Sequence, residues 1–227
     1  MSKGIFITGT GTDVGKTYIT ALLIKKLQET GMRAAYYKAA VSGNQQGREG
    51  LLPGDAMYVK QISGISQPLN TMVPYIYEQA VSPHLASRME GNPVELSVVR
   101  QGYLDLCQDY QYITMEGSGG ILCPLRWEEN EQLWLEDVIR ELQLSCLVVA
   151  GAGLGTINAT LLTVEYLRMK HITIKGIILN HFHAEDEMEQ DNIRMIEKRG
   201  EVPVIACVSE GDLDIGISVE NLISFYS

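Results

Sequence analysis

Short apolar runs alternate with longer amphipathic stretches along this chain of 227 residues. The apolar runs predict strands at 4–8, 34–37, 112–115, 146–150, 175–179 and 204–207. Between them, apolar residues recur every three to four positions, which predicts helices at about 16–29, 56–63, 83–90, 95–109, 135–143, 156–170 and 187–198. Residues 39–54 predict a loop, and a loop that long inside a compact domain is usually functional.

This alternation predicts an α/β fold with a doubly wound, mostly parallel sheet flanked by helices. The run 146–150 is apolar on both faces, as expected for a parallel strand that is covered by helices on both sides. No internal repeat, low-complexity tract or linker interrupts the pattern. Residues 1–227 are therefore predicted to form a single domain.

The net charge of the chain limits which classes of partner it can bind. The sequence has 18 Lys and Arg against 28 Asp and Glu, a formal net charge of −10. Nucleic acids and anionic membrane surfaces are bound through basic residues, so neither is expected as a partner. Most of the excess acid lies in residues 128–141 and 185–201, which are expected to form solvated surface, mainly on helix faces.

No targeting or membrane segment is expected. The apolar runs are all far shorter than the ~20 residues that a membrane span needs. The N-terminus enters a strand at once, which leaves no room for a signal peptide and favours a cytoplasmic protein. Cys107, Cys123, Cys146 and Cys207 lack metal-site spacing and are expected to be small buried side chains in a reducing compartment.

A glycine-rich segment, Gly9-Thr10-Gly11-Thr12-Asp13-Val14-Gly15-Lys16-Thr17, joins the first strand to the first helix. Glycines allow successive backbone N–H groups to point inward as an anion nest beside a helix N-terminus. The segment predicts a phosphate-binding loop in which Lys16 reaches the β- and γ-phosphates and the Thr17 hydroxyl ligates Mg²⁺. Thr10 stands where the common pattern has glycine, so either the loop is a variant or Gly11 supplies the needed freedom.

Two charged residues lie, like this loop, at the carboxyl ends of predicted parallel strands. Glu116 ends the strand at 112–115 and precedes Gly117-Ser118-Gly119-Gly120, and Lys38 follows the strand at 34–37. The carboxyl ends of parallel strands meet at one edge of a sheet, where α/β proteins bind ligands. Glu116 is predicted to serve a nucleotide–magnesium site, and the glycines after it indicate a close approach to the backbone. Lys38 alone is equally consistent with a surface lysine.

Taken together and in order, the motifs closely resemble those of the dethiobiotin synthetase family. Besides the phosphate loop and residues 116–120, they comprise Lys38-x-x-x-Ser42-Gly43, Asp55-Ala56, Ser82-Pro83-His84, Gly155-x-Ile157-Asn158 and Asn180. The five-residue spacer after Gly9 is that family's own form. The resemblance covers residues 4–182 and implies a P-loop NTPase fold.

The resemblance implies a magnesium-dependent homodimer that uses ATP, CO₂ or bicarbonate, and 7,8-diaminopelargonic acid. In that family one substrate amine captures CO₂ as a carbamate, which ATP converts to a carbamic–phosphoric anhydride. The second amine then closes the ureido ring and releases phosphate. Catalysis of this kind depends on positioning and charge neutralisation, without a covalent enzyme intermediate.

The resemblance also implies roles for single residues. Lys38 binds the carbamate and Lys16 bridges it to the γ-phosphate, so their charges offset the repulsion between two anions. Thr17, Asp55 and Glu116 hold Mg²⁺. The full nucleotide-binding set is Thr12, Asp13, Val14, Gly15, Lys16, Thr17, Asp55, Glu116, Gly117, Ser118, Gly119 and Asn180.

Substrate and base recognition complete the implied site. Ser42 hydrogen-bonds the substrate, and Asn158, near a helix N-terminus, meets the substrate carboxylate across the dimer interface. The Asn180 amide both donates to and accepts from adenine, although a polar residue that caps the end of a strand is an equally good interpretation. The chain departs from the family at two places. Many family members have a Pro-x-Leu segment that contacts adenine, where this chain has Val208-Ser209-Glu210-Gly211. Many also have Pro at the position of Ala39.

Three other functions fit parts of the sequence. Nucleotide-switch ATPases that act in partitioning and septum placement share the predicted fold, but they carry an early lysine in the phosphate loop, and residues 9–14 contain none. The ATP-dependent amide ligase of corrinoid synthesis needs an added glutaminase domain, for which 227 residues leave no room. Lys38 together with Glu116 argues against a P-loop module that only binds nucleotide, but leaves that alternative open. His181 and His183 lack further ligands at suitable spacing and are predicted to be surface residues.

Overall fold

Twelve strands and eight α-helices are formed within residues 2–48 and 50–227, which the computed structural model describes. The strands are β1 (Lys3–Gly9), β2 (Ala34–Lys38), β3 (Ala40–Val41), β4 (Gln45–Gln46), β5 (Leu51–Leu52), β6 (Tyr75–Ile76), β7 (Tyr112–Glu116), β8 (Pro124–Trp127), β9 (Gln132–Trp134), β10 (Cys146–Gly151), β11 (Ile174–Asn180) and β12 (Val204–Val208). The helices are α1 (Lys16–Glu29), α2 (Gly54–Ser63), α3 (Pro83–Met89), α4 (Leu96–Asp109), α5 (Leu135–Glu141), α6 (Thr156–Met169), α7 (Glu187–Gly200) and α8 (Val219–Phe225).

The six longer strands form one sheet in the order β12-β11-β10-β1-β7-β2, and every neighbouring pair in it is parallel. Successive side chains of a strand point to opposite faces. In β1, Ile5 and Ile7 accordingly pack with α1 and α2 on one face, whereas Phe6 packs with residues of α4, α5 and α6 on the other. Helices thus cover both faces, which confirms the predicted doubly wound α/β fold.

The predicted elements lie close to the observed ones. Helix α1 has the predicted bounds, and the six central strands extend the predicted runs by one or two residues. The predicted loop 39–54 is the main departure, because its described residues include β3, which pairs with β6, and the hairpin of β4 and β5. Glu49 in that loop and Met1 at the start of the sequence lie outside the described residues.

Two acidic side chains correct the expectation that the acid-rich stretches are solvated throughout. Glu136 and Glu189 are buried. The Glu136 carboxylate accepts the Tyr166 hydroxyl and forms an ion pair with Lys170 at 3.2 Å, and the Glu189 carboxylate accepts the backbone N–H of His183. Residues 128–131 form the turn between β8 and β9 instead of part of a helix face. His181 and His183 lie on the surface, as predicted.

The cysteine prediction is only partly right. Cys146 is buried, whereas Cys107, Cys123 and Cys207 are partly exposed, and all four are free thiols. Among the described residues, no helix has the length and the apolar composition that crossing a lipid bilayer requires.

Candidate active site

The carboxyl ends of β1, β2 and β7 meet at one edge of the sheet. The register pairs Lys38 with Glu116 and also sets Ile7 beside Glu116, so the phosphate loop after β1 adjoins both charged residues. A cavity of about 720 Å³ opens at this edge. The strand topology therefore brings together the charged residues that the sequence predicts for one site.

The phosphate loop enters α1 through Gly15, which has a φ of 88°. A Cβ atom at this position would lie 2.0 Å from Nδ2 of Asn180, so both the backbone angle and the available space require glycine. The Asn180 side chain donates to the carbonyl of Val14 at 3.2 Å, and the Lys16 ammonium donates to the carbonyl of Gly11 at 2.8 Å. The end of β11 thus supports the loop from behind, and Lys16 lies along its inner side.

A buried ion-pair cluster lies next to the loop. The Lys38 ammonium is 2.6 Å from Oδ2 of Asp55 and 2.7 Å from Oε1 of Glu116. Oε1 of Glu116 also accepts the Thr17 hydroxyl at 2.9 Å, and Oε2 accepts the Tyr36 hydroxyl at 3.1 Å. Lys38 and Glu116 are almost completely buried, whereas Asp55 is partly exposed at the cavity.

Burial and neighbouring charges set the protonation of the two lysines. Burial by itself would lower the pKa of Lys38, but the Glu116 and Asp55 carboxylates outweigh it and raise that pKa above its usual range. The pKa of Lys16 is lowered, first by burial and then by the charge of Lys38, against the opposing carboxylates of Glu116 and Asp55. Lys38 is therefore held as an ammonium ion by its two acidic partners.

The donor set fits Mg²⁺. Thr17, Asp55 and Glu116 offer a hydroxyl and two carboxylates, and hard oxygen donors are what Mg²⁺ prefers. Lys38 already brings both carboxylates to one cationic group, so they are arranged around a single positive charge. The described residues contain no group of three or more His, Cys, Asp and Glu side chains suited to a metal ion.

Most residues predicted for the site line this cavity: Thr12, Asp13, Gly15, Lys16, Thr17, Lys38, Ser42, Asp55, Glu116, Ser118 and Gly119. Four others do not line it: Val14, Gly117, Asn158 and Asn180. Gly117 is buried, and a Cβ there would lie 3.0 Å from the Phe6 ring, so packing in the core also favours glycine at this position. Asn158 is exposed on α6, and Leu154 just before that helix is 93% exposed.

Several residues of the site were not found from the sequence. Tyr36 is completely buried and bonds to Glu116, and the two-residue period of β2 that puts it on the same face as Lys38 is the signal that could have found it. Val81 also lines the cavity, and its carbonyl accepts the Ser42 hydroxyl at 2.6 Å, next to Ser82 and Pro83 of a motif to which the sequence assigns no role. No pattern in the sequence indicates that contact.

Cys123 also lines the cavity. Burial raises the pKa of its thiol to about 11, although the charges of Lys16 and Lys38 act in the opposite direction. The thiol is consequently protonated near neutral pH, and a protonated thiol is a poor nucleophile. Cys123 therefore forms part of the cavity wall as a neutral thiol.

The segment after β12 is anchored to α1. Tyr18 donates to the carbonyl of Asp212, Lys25 donates to the carbonyl of Leu213 at 3.0 Å, and Lys26 pairs with Asp214 at 2.8 Å. Residues 208–211, which replace the Pro-x-Leu segment, thus lead into a segment that is fixed against the helix behind the phosphate loop.

Comparison with known proteins gives close relatives. A family model described as an AAA domain matches residues 3–213. A protein from Brachyspira hyodysenteriae named ATP-dependent dethiobiotin synthetase BioD is 44% identical, with 95% of this chain and 96% of that protein aligned. A protein of the same name from Clostridium botulinum (strain Loch Maree) is 43% identical, with 100% of this chain and 99% of its own length aligned.

Solved structures with the same fold are more distant. The MinC:MinD cell division protein complex of Aquifex aeolicus matches with a TM-score of 0.57 at 16% identity, over 92% of this chain and 82% of that one. Chloroplast FtsY of Physcomitrella patens matches with a TM-score of 0.54 at 15% identity, over 99% of this chain and 65% of that one. At this level of identity the likeness concerns the fold alone.

Proposed function

This chain belongs to the ATP-dependent dethiobiotin synthetase family, a group of ATP-dependent ligases of biotin biosynthesis, and from that premise we propose how its cavity works. The cavity binds ATP and 7,8-diaminopelargonic acid and joins the two amines of that acid through CO₂ into the ureido ring of dethiobiotin. The observation that carries the proposal is the convergence of the phosphate loop, two buried lysines and two carboxylates on one cavity.

The reaction proceeds in three steps whose atoms balance. One substrate amine adds to the carbon of CO₂ and loses a proton, which gives a carbamate. A carbamate oxygen attacks the γ-phosphorus of ATP and ADP leaves, which gives a carbamic–phosphoric anhydride. The second amine attacks the anhydride carbon and loses a proton, phosphate leaves with the carbamate oxygen, and the ring closes.

The second step requires two anions to meet, and the lysines make that possible. Lys16 extends from the start of α1 along the phosphate loop, where it reaches the γ-phosphate. Lys38 lies at the end of β2, with its ammonium ion against Glu116 and Asp55 at the cavity. We assign Lys38 to the carbamate and Lys16 to both anions, so that fixed positive charge lowers the barrier where negative charge accumulates.

Thr17, Asp55 and Glu116 would hold Mg²⁺. When it is bound, the ion neutralises charge on the β- and γ-phosphate oxygens. The carboxylates of Asp55 and Glu116 already contact the Lys38 ammonium ion. When Mg²⁺ binds, they must therefore divide their contacts between that ammonium ion and the metal. A lysine released in this way is free to bind the carbamate.

The remaining assignments concern orientation. Ser42 is tied to the segment before α3, and from that position its hydroxyl contacts the substrate. The N–H groups of residues 12–17 contact the phosphates. We assign the adenine end to Asn180 and residues 208–211, because Asn180 supports the loop at Val14 and the segment beyond 208 is anchored to α1.

A labelling experiment tests the function directly. The chain is incubated with labelled bicarbonate, ATP, Mg²⁺ and diaminopelargonate, and we expect acid-stable label in dethiobiotin in amounts equal to the phosphate released. Omission of the diamine provides the control and should leave both products at background. ATP hydrolysis that does not respond to the diamine, with no stable label, would contradict the proposal and favour a nucleotide switch.

The carboxylate end of the substrate requires a second subunit in this proposal. Asn158 and Leu154 are exposed and lie outside the cavity of their own subunit, as expected if they contribute to the site of a partner. Asn158→Asp introduces a negative charge near the substrate carboxylate but leaves α6 intact, because an acid in the first helical turn is favourable. We expect the KM for diaminopelargonate to rise about tenfold or more while the KM for ATP is unchanged.

Mixing subunits tests the shared site. In a C₂ dimer, one Asn158→Asp subunit paired with one Lys38→Ala subunit has one site with both changes and one with neither. At diaminopelargonate concentrations well below KM, where both variants have low activity, random reassortment should therefore restore up to about a quarter of the normal activity. Mixtures with no more activity than the separate variants would show that each site belongs to a single chain.

A further inference from the structure

Tyr36 holds one oxygen of the Glu116 carboxylate, although it does not line the cavity. The Tyr36 hydroxyl lies 3.1 Å from Oε2 of Glu116, whereas Thr17 and Lys38 both bond to Oε1. One oxygen of the carboxylate thus bonds to a buried core residue, and the other bonds to residues that line the cavity.

Tyr36 is itself held firmly. Its backbone N–H donates to Oε1 of Gln67 at 2.8 Å, and its carbonyl accepts from Nε2 of the same side chain at 3.0 Å. Gln67 and Tyr36 are both completely buried, and the ring packs in the core between the sheet and α1. Because the tyrosine is fixed at its backbone and ring, its hydroxyl provides a rigid reference point for Glu116.

The geometry points to Tyr36 as a positioning residue for metal binding. With Oε2 bonded to Tyr36, rotation of the Glu116 carboxylate is restricted and Oε1 stays directed toward Thr17 and Lys38. Residues that orient a metal ligand in this way commonly change metal affinity when they are altered. The inference rests on the proposed function, since it assumes that Glu116 ligates the metal of a metal–nucleotide complex.

Tyr36→Phe removes only the hydroxyl and tests this role through metal binding itself. The probe is Mn²⁺ in the presence of ADP, with free Mn²⁺ measured by electron paramagnetic resonance. We expect the Mn²⁺ dissociation constant in the ADP complex to rise about tenfold. ADP affinity without metal should stay within about twofold, because the hydroxyl contacts Glu116 and not the phosphate loop.

Tyr37→Phe is the matched control. Tyr37 is the adjacent buried tyrosine, and its hydroxyl donates to the carbonyl of Val99 at 2.9 Å, on the α4 side of the sheet. This variant loses a buried hydrogen bond of the same kind without touching Glu116. We expect it to melt at a lower temperature than the unmodified chain and to bind Mn²⁺ with an unchanged dissociation constant.

A double-mutant cycle separates positioning from a general structural effect. If Tyr36 acts through Glu116, Tyr36→Phe should have no further effect on Mn²⁺ affinity in a Glu116→Gln background. Equal Mn²⁺ dissociation constants for Tyr36→Phe and the unmodified chain, or effects that simply add in the double variant, would overturn the inference while leaving the proposed function intact. Failure of the unmodified chain to bind Mn²⁺ with ADP would overturn the proposed function, and this inference with it.

Discussion

Lys38→Ala should lower turnover about 10³-fold, because loss of one preorganised charged group at a reacting anion costs a factor of this order. ATP affinity should change by no more than about threefold, because Lys38 contacts Asp55 and Glu116 and makes no hydrogen bond to the phosphate loop among the described residues. Metal affinity should stay equal or increase, since the two carboxylates no longer share their oxygens with an ammonium ion. Steady-state kinetics, together with calorimetry of ATP and Mn²⁺ binding, measure the three quantities.

Two further variants make this result specific. Lys3→Ala also removes one positive charge, but from the exposed opposite end of β1, and should leave turnover unchanged. Lys38→Arg keeps the charge but not the compact ammonium geometry, and it should stay well below the unmodified chain. Equal losses of ATP affinity and turnover in Lys38→Ala would show that Lys38 belongs to the nucleotide and not to the carbamate.

The central strands and long helices could be predicted because their signals are local. A parallel strand covered on both faces has to be apolar throughout, as β10 is, and α1 carries a regular apolar face that includes Ile19, Leu22 and Leu23. The short strands β3 and β6 had no such signal. Each has two residues and exists only because its partner, more than thirty positions away, lies beside it.

The candidate site also combines features with a local sequence signal and features that depend on distant residues. The glycine-rich loop, Lys38 and Glu116 could be assigned because each lies at the end of a predictable parallel strand, where the topology fixes its position. The ion pairs between Lys38, Asp55 and Glu116 depend on side-chain distances that a linear pattern does not contain. The sequence predicts Tyr36 only as part of a strand, since tyrosine is common in strands and its partner is 80 residues away.

Gly117 illustrates how one glycine-rich pattern can have two causes. The sequence predicts that the glycines after Glu116 make room for a ligand, and Gly119, with a φ of 62°, does line the cavity. At Gly117, however, a Cβ would lie 3.0 Å from the Phe6 ring, so packing in the core also favours glycine there. Sequence alone cannot separate these two causes, because both need the same missing side chain at neighbouring positions.

Gly15→Ala should weaken ATP binding about 100-fold, for two separate physical reasons that act on the same loop. Left-handed backbone, here with a φ of 88°, costs a residue with a Cβ about 1–2 kcal/mol. The added methyl group would also lie 2.0 Å from Nδ2 of Asn180, so either the loop or the Asn180 side chain has to move. The free loop can relieve this strain by leaving the binding conformation, and ATP then has to restore it. Since each ~1.4 kcal/mol is about tenfold in affinity, this relaxation accounts for roughly one factor of ten and the contact with Asn180 for the rest.

Gly31→Ala separates backbone strain from distortion of the site. Gly31 has a φ of 77°, and no atom lies within 4 Å of the point that a Cβ would occupy among the described residues, so its substitution adds similar strain just beyond the end of α1 without a clash. We expect it to lower thermal stability and leave ATP affinity unchanged. Adding Asn180→Ala to Gly15→Ala should then recover part of the lost ATP affinity, because the smaller side chain makes room for the methyl group. If the double variant binds ATP no better than Gly15→Ala, contact with Asn180 is not what fixes the shape of the loop.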